Sequence, residues 1–240
     1  MNKSVFLWIA LVILMANAGT SQSWSTNGVT GEGAVVKQEI AIAAFDGIDL
    51  GFNGNVIMMP GAVQKVVVEG QQNIIDLIKR DVRDGVWRID FSKSVKDAKG
   101  VTVYITVPTV KHVALTGSGS IKSQGRFTNV NKLDVSVSGS GDIIFDAAAN
   151  DTHLQISGSG DIEMIGTTNT LEVAISGSGD VVASSLKSSN CKVHISGSGN
   201  ADVQVNGDLE TSISGSGDVH YKGDANVSAR ISGSGEVSKL

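Results

Sequence analysis

The chain has 240 residues, 41% of them hydrophobic, with a formal net charge of −5, 29 glycines and only two prolines. This size and glycine content suit one elongated domain with tight turns, and the negative balance argues against nucleic acid or an anionic membrane surface as a partner. The single cysteine, Cys191, excludes an intramolecular disulfide, so backbone pairing and core packing must hold the fold.

The N-terminus carries Lys3, an apolar stretch over residues 5–15 and then Ala16-Asn17-Ala18. That order of positive charge, short apolar run and small residues is the pattern of a secretory signal, here residues 1–18, cleaved near Gly19. The apolar stretch is shorter than the roughly 20 residues that span a bilayer, so the mature chain is expected to be exported with no transmembrane span. Its destination would be the periplasm, the outer surface or the extracellular space. Residues 19–44, rich in Ser, Thr, Gly and Gln around an isolated Trp24, read as a mobile lead-in, with order beginning near Ile40 to Phe45.

From residue 45 to 240 the pattern is that of one β domain, irregular to about 110 and regular from 111 onward. Leu50-Gly51-Phe52-Asn53-Gly54-Asn55-Val56 reads as a worn copy of a motif that recurs later, Ile-Ser-Gly-Ser-Gly-Asp-Val. A β-branched run follows at 65–69. Ile74, Ile75, Ile78 and Val82 then fall at helical spacing and predict a short helix within 72–83. Asp84-Gly85 signals a tight turn, and Val101, Val103, Ile105 and Val107 alternate as a strand that ends at Pro108.

Beyond residue 111 the repeat dominates. The motif glycines Gly117, Gly139, Gly158, Gly177, Gly197, Gly215 and Gly233 are separated by 22, 19, 19, 20, 18 and 18 residues. A unit this short cannot bury an apolar face alone, nor hold two packed helices or a propeller blade, so the units must stack. The fold class is therefore all-β: a single-stranded parallel β-helix with coils of about 18–20 residues, right-handed by the general preference of parallel crossovers. Leu133, Val135, Val137, Gly139, Gly141, Ile143 and Phe145 keep one alternating phase through the glycine pair, which turns both glycines inward and the serines and acidic residue outward. Cys191 shares the inward phase of Val193 and Ile195 and reads as a buried structural thiol.

Stacked about 4.8 Å apart, the outward residues form columns on a polar ribbon on the order of 30 Å long. One column is Ser138, Ser157, Ser176, Ser196, Ser214 and Ser232, and a second runs from Ser118 to Ser234. The candidate contact residues lie in this second column and in the acidic third: Ser140, Asp142, Ser159, Asp161, Ser178, Asp180, Ser198, Asn200, Ser216 and Asp218. Aspartate after glycine also fixes turns by accepting a backbone N–H, which is the commoner role of such a residue. No catalytic residue, cofactor or metal site is expected: the register departs from the calcium-binding nonapeptide repeat, and the four histidines read as occupying no common repeat position.

Phe45-Asp46-Gly47-Ile48, Val66-Val67-Val68-Glu69-Gly70, Asn73-Ile74-Ile75-Asp76 and Val103-Tyr104-Ile105-Thr106-Val107-Pro108, followed by the Ser-Gly-Ser-Gly-Asp copies, resemble the head GIN domain family of autotransporter adhesins. The resemblance implies an exported β-helical domain that serves surface adhesion, and it supplies no catalytic residues. The residues leave three readings open. The first is a non-enzymatic envelope module that presents its ribbon to a polymer such as a glycan. The second is a β-helix polysaccharide lyase or hydrolase that uses neighbouring carboxylates. The third is an assembly scaffold that forms a homo-oligomer through an open coil edge, since Leu240 follows Glu236 too closely to cover the last coil.

Overall fold

The computed structural model describes residues 28–98 and 100–240, so the signal segment and the start of the lead-in lie outside the described residues. Within them the chain is a parallel β-solenoid of about seven turns. The lead-in contributes to the sheet: β1 (Val35–Glu39) pairs antiparallel with β4 (Lys65–Gln71), so pairing starts before Ile40. Its sequence signal is weak because β1 is a largely exposed edge strand with no buried face to impose alternation.

The first coil consists of β2 (Gly47–Leu50) and β3 (Asn55–Pro60). After β4 come one helical turn, α1 (Gln72–Ile75), then β5 (Val82–Arg83), β6 (Val86–Ile89) and β7 (Thr102–Val107). The helix expected over 72–83 is thus cut to a single turn that buries Ile74 and Ile75. Beyond it Ile78 bridges to Phe91 and the Lys79 N–H donates to the Asp90 carbonyl at 2.9 Å, so cross-chain pairing overrides helical spacing. Asp84 and Gly85 take φ values of 51° and 76°, the left-handed pair that a two-residue β5–β6 hairpin requires.

Spatial order departs from chain order in this half. β2 pairs in parallel with β6 on one side and with β8 (His112–Leu115) on the other, while β3 lies between β7 and β9 (Ser120–Ser123). The first coil is therefore sandwiched between the second and the third. β4 pairs antiparallel with β7, and β5 with β6, so antiparallel strands cover the stack at this end.

From β10 (Phe127–Val137) the coils stack in sequence through β11 (Asp142–Ile156), β12 (Ile162–Gly177) and β13 (Val181–Gly197). They continue as β14 (Ala201–Val205), β15 (Asp208–Gly215), β16 (Val219–Lys222), β17 (Asn226–Gly233) and β18 (Val237–Lys239). Inside run aliphatic columns such as Val137–Ile156–Ile175–Ile195–Ile213 and Ile143–Ile162–Val181–Ala201–Val219, each residue at most 2% exposed. Each valine or isoleucine side chain in them stabilises the stack by about 1.5–3 kcal/mol on leaving water. Each long strand bends at a corner where the burial phase flips, as at Asn150-Asp151 in β11 and Asn169-Thr170 in β12. Cys191 is buried in phase with Val193 and Ile195.

The last coil, β17 and β18, is paired on one side only among the described residues. Every residue of β17 is exposed, including Val227 at 39% and Ile231 at 45%, whose counterparts one coil below, Leu209 and Ile213, are 1% exposed.

Candidate functional site

The Ser-Gly-Ser-Gly-Asp segments form the corner between the strand ending at the motif, such as β12, and the strand starting after it, such as β13. Their glycines are required by the approach of one coil to the next. A Cβ on Gly160, Gly179, Gly199 or Gly217 would lie under 3.0 Å from the carbonyl oxygen of the equivalent glycine one coil below. The first glycines meet the same obstacle, and Gly177, Gly197, Gly215 and Gly233 also hold φ between 136° and 150°, which L side chains rarely adopt. The expectation that both glycines face the interior holds for the second, whose Cβ direction meets core side chains such as Ile156 and Ile175, and needs correction for the first. The second is buried and the first half-buried, and both turn toward the backbone of the neighbouring coil. The worn copy at 50–56 stacks in the same columns, with Leu50 opposite Leu115 and Asn55 opposite Ser120.

All serines of the first two columns, Ser140, Ser159, Ser178, Ser198 and Ser216 among them, are exposed. Among the described residues none of their hydroxyls takes part in a hydrogen bond within the protein. The third column behaves differently. Asp161 Oδ1 accepts the N–H of Asp180 at 2.8 Å, Asp180 Oδ1 that of Asn200 at 2.7 Å, Asn200 Oδ1 that of Asp218 at 3.0 Å, and Asp218 Oδ1 that of Glu236 at 2.8 Å. Each side chain stands in for a carbonyl, because the carbonyl beside it points the other way: those of Asp180, Asn200 and Asp218 accept from Ile162, Val181 and Ala201 one coil below. A hydrogen bond to an ionised acceptor is worth about 1.5–3 kcal/mol. That exceeds the roughly 0.8 kcal/mol by which two carboxylates about 5 Å apart repel in water, so the column stands without a counterion. Asn200 further interrupts the charge and donates Nδ2 to Asp180 Oδ1 at 3.0 Å. Asp142, the first acid of the column, is exposed and lies opposite Ser120.

A shallow hollow flanks the ribbon on each side. One, of about 320 Å³, lies against Ser176, Ser196 and Ser214, with His194 and Ser212 beside them. The other, of about 370 Å³, is bounded by Asp180, Asn200, Asp202 and His220, where His220 Nδ1 lies 3.1 Å from Asp202 Oδ1. Among the described residues no three His, Cys, Asp or Glu side chains form a set that could hold a metal ion. The histidines are less scattered than their positions suggest. His112 and His153 fall in one column on either side of Asp134, and His153 also reaches Glu172 at 3.5 Å.

One polar array escaped the motif-based reading. At the corner where the burial phase flips, Asn150 Nδ2 donates to Asn131 Oδ1 at 3.0 Å and Asn169 Nδ2 to Asn150 Oδ1 at 3.3 Å. The signal was available, since the three asparagines are separated by 19 residues each. At the covered end Tyr104 donates to Glu69 at 2.8 Å, and Lys37 pairs with Glu69 at 3.3 Å. The tyrosine hydroxyl and then the ammonium hold the Glu69 carboxyl below its ordinary range.

A family model described as "Putative auto-transporter adhesin, head GIN domain" matches residues 44–225. A crystal structure described as a "putative adhesin" from Bacteroides fragilis NCTC 9343 is similar with a TM-score of 0.81, at 23% identity, covering 89% of this chain and 100% of that one. A second "putative adhesin", from Parabacteroides distasonis ATCC 8503, has a TM-score of 0.68 at 25% identity, covering 89% of this chain and 100% of the other. A "putative lipid binding protein" from the same organism has a TM-score of 0.70 at 23% identity, covering 88% and 99%. No curated protein matches the chain. The coiled architecture and the extent of the family match lead to one conclusion: this chain belongs to the head GIN domain family.

Proposed function

We propose that the protein is a non-enzymatic binding module, exported to the cell envelope, whose Ser/Ser/Asp ribbon engages a polymeric surface ligand such as a glycan. The observation that carries this reading is the pair of serine rows, whose hydroxyls are exposed and free of internal partners on a rigid backbone ladder. Evenly spaced, individually weak hydrogen bonds reach useful affinity only by acting together, which suits a repeating polymer. The acidic column contributes its remaining carboxylate oxygens at Asp142, Asp161, Asp180 and Asp218. A polar ribbon also suits sugar hydroxyls better than the acyl chains that a lipid-binding role would require.

The serines are the proper targets for a test, because aspartate substitutions would also remove backbone hydrogen bonds. Replacing Ser140, Ser159, Ser178 and Ser198 together by alanine should lower retention on a glycan array at least about tenfold with unchanged melting. Unaltered retention would reject the ribbon, and release of reducing or unsaturated ends from the polymers would favour the lyase or hydrolase alternative. Cell fractionation with a C-terminal tag tests export.

The bare last coil favours a second reading, self-association through β17. Its unpaired backbone edge and the exposed Val227 and Ile231 suit pairing with the same strand of another copy. Sedimentation should then show a mass that rises with concentration, and Ile231→Lys should abolish the rise. A strict monomer at high concentration rejects it.

A further inference from the structure

We infer that the groove at the asparagine corner of the solenoid, where β10, β11 and β12 turn, is a second binding site that takes a short stretch of a neutral saccharide. The inference shares the sugar chemistry of the proposed function but rests on different residues, so the two can fail separately. The groove is open to solvent and offers about 550 Å³, within the ~300–1,000 Å³ usual for small-ligand sites. Asn129, Asn131, Asn150 and Asn169 line it, with Ala148 and Ala149 among them, and no charged side chain lies along it.

The local fold explains why a groove opens here. The pairing of β10 with β11 shifts register between Phe127 and Val130, which sit opposite Ala147 and Ala149. Thr128 and Asn129 thereby stand opposite the single Ala148, a bulge of one residue, and Asn129 takes φ 59°, a conformation asparagine tolerates better than most residues. Phe127 is buried and stacked on Phe145 with ring centroids 5.3 Å apart, which anchors the base of the bulge. The small side chains of Ala148 and Ala149 leave the space beside it unfilled.

The amides offer the chemistry. Each carries two N–H donors and a carbonyl oxygen with two lone pairs. The ladder uses one donor of Asn150, one of Asn169 and one lone pair each of Asn131 and Asn150. Donors and acceptors therefore remain on all three, side by side, as vicinal sugar hydroxyls that both give and accept hydrogen bonds require. The absence of charge along the groove gives an ionic polymer no advantage over an uncharged one.

A purely structural ladder is the competing account, but the corner is already fastened from inside. Thr152 Oγ1 donates to Thr168 Oγ1 at 3.1 Å, and Thr168 Oγ1 lies 3.1 Å from the Asn150 carbonyl and 3.0 Å from that of Thr170, both hydroxyls being buried.

The test follows the side-chain amide resonances of the ¹⁵N-labelled protein during titration with uncharged cello-, xylo- and malto-oligosaccharides, with a sulfated oligosaccharide as control. At least one neutral probe should shift the resonances of Asn131, Asn150 and Asn169 saturably. Ala148→Trp, which fills the groove, should weaken that binding at least tenfold, and the serine-to-alanine ribbon variant should leave it unchanged. Should Ala148→Trp fail to fold, Asn129→Gly, which the positive φ accepts, carries the same expectation of weakened binding. No shift with any neutral probe, shifts with the sulfated probe only, or neutral shifts lost in the ribbon variant and kept in the groove variants would each overturn the inference.

Discussion

Replacing Gly179 by alanine isolates the physical reason for the repeated glycines. Its φ lies outside the left-handed range, so a methyl group adds no backbone strain of the kind expected at Gly177. The added Cβ would instead press on the Gly160 carbonyl oxygen and carbon and on Ile156 Cγ2, the last two at 3.1 and 3.0 Å. Backbone cannot swing aside as a side-chain tip can, so the two coils must part. Overpacking of this kind costs about 1–3 kcal/mol. The neighbouring bonds Ser178 N–H to the Gly158 carbonyl and Ile162 N–H to the Asp180 carbonyl, both 3.0 Å, would stretch with it, at about 1 kcal/mol each. We expect a loss of about 3–5 kcal/mol, read from urea denaturation, with hydrogen exchange rising first in β12 and β13. Gly100→Ala is the control, since its Cβ would meet nothing within 4 Å. Lowered unfolded-state entropy there should leave stability level or raise it by about 0.4–1 kcal/mol. A Gly179→Ala protein within 1 kcal/mol of that control, on the order of one hydrogen bond, would refute coil-to-coil contact as the reason for the motif.

Three further outcomes are expected. Thr211 Oγ1 is buried and unpartnered, so Thr211→Val should raise stability by about 1–3 kcal/mol, the usual cost of an unsatisfied buried group, as seen in the denaturation midpoint. Burial pushes the Cys191 thiol up to about 12, so a thiol reagent at neutral pH should leave the native protein unmodified and label one group after unfolding. The folded Glu69 carboxyl titrates below its ordinary value, so its contribution is present above the ordinary carboxylate range and is lost as pH falls through the folded value. Acid should therefore lower hydrogen-exchange protection, corrected for the intrinsic pH dependence of exchange, in β1 and β4, and Glu69→Gln should flatten that loss.

The regular half was legible because its glycines, serines and inward aliphatic residues recur at nearly constant steps, and stacking turns a step into a column. The worn copy at 50–56 was readable for the same reason, since Gly54, Asn55 and Val56 keep their places. Four features were not. Ile74, Ile75, Ile78 and Val82 fit a helix, yet Ile78 and Val82 are held by cross-chain pairing with Phe91 and Trp87, which local spacing cannot report. The insertion of β2–β3 between later coils leaves no local trace, because it depends on which edges remain free after β4 folds back. In the candidate site, the outward serines were readable from period two and the acceptance of a backbone N–H by the aspartates from their place after glycine, whereas the position of that donor on the next coil depends on which way a carbonyl points. The asparagine corner was passed over because its residues sit among unrelated neighbours rather than in a phrase that repeats whole.

The sandwiched first coil makes growth of this molecule one-sided. Both flanks of β2 and β3 are occupied by strands from as far along as Ser123, so nothing can be added or removed there without unseating a finished layer. Beyond β10 each interior layer stacks between the one before it and the one after it, so whole turns can be gained or lost within this half alone. The irregular half is a fixed footing, and the repeats are the adjustable shaft.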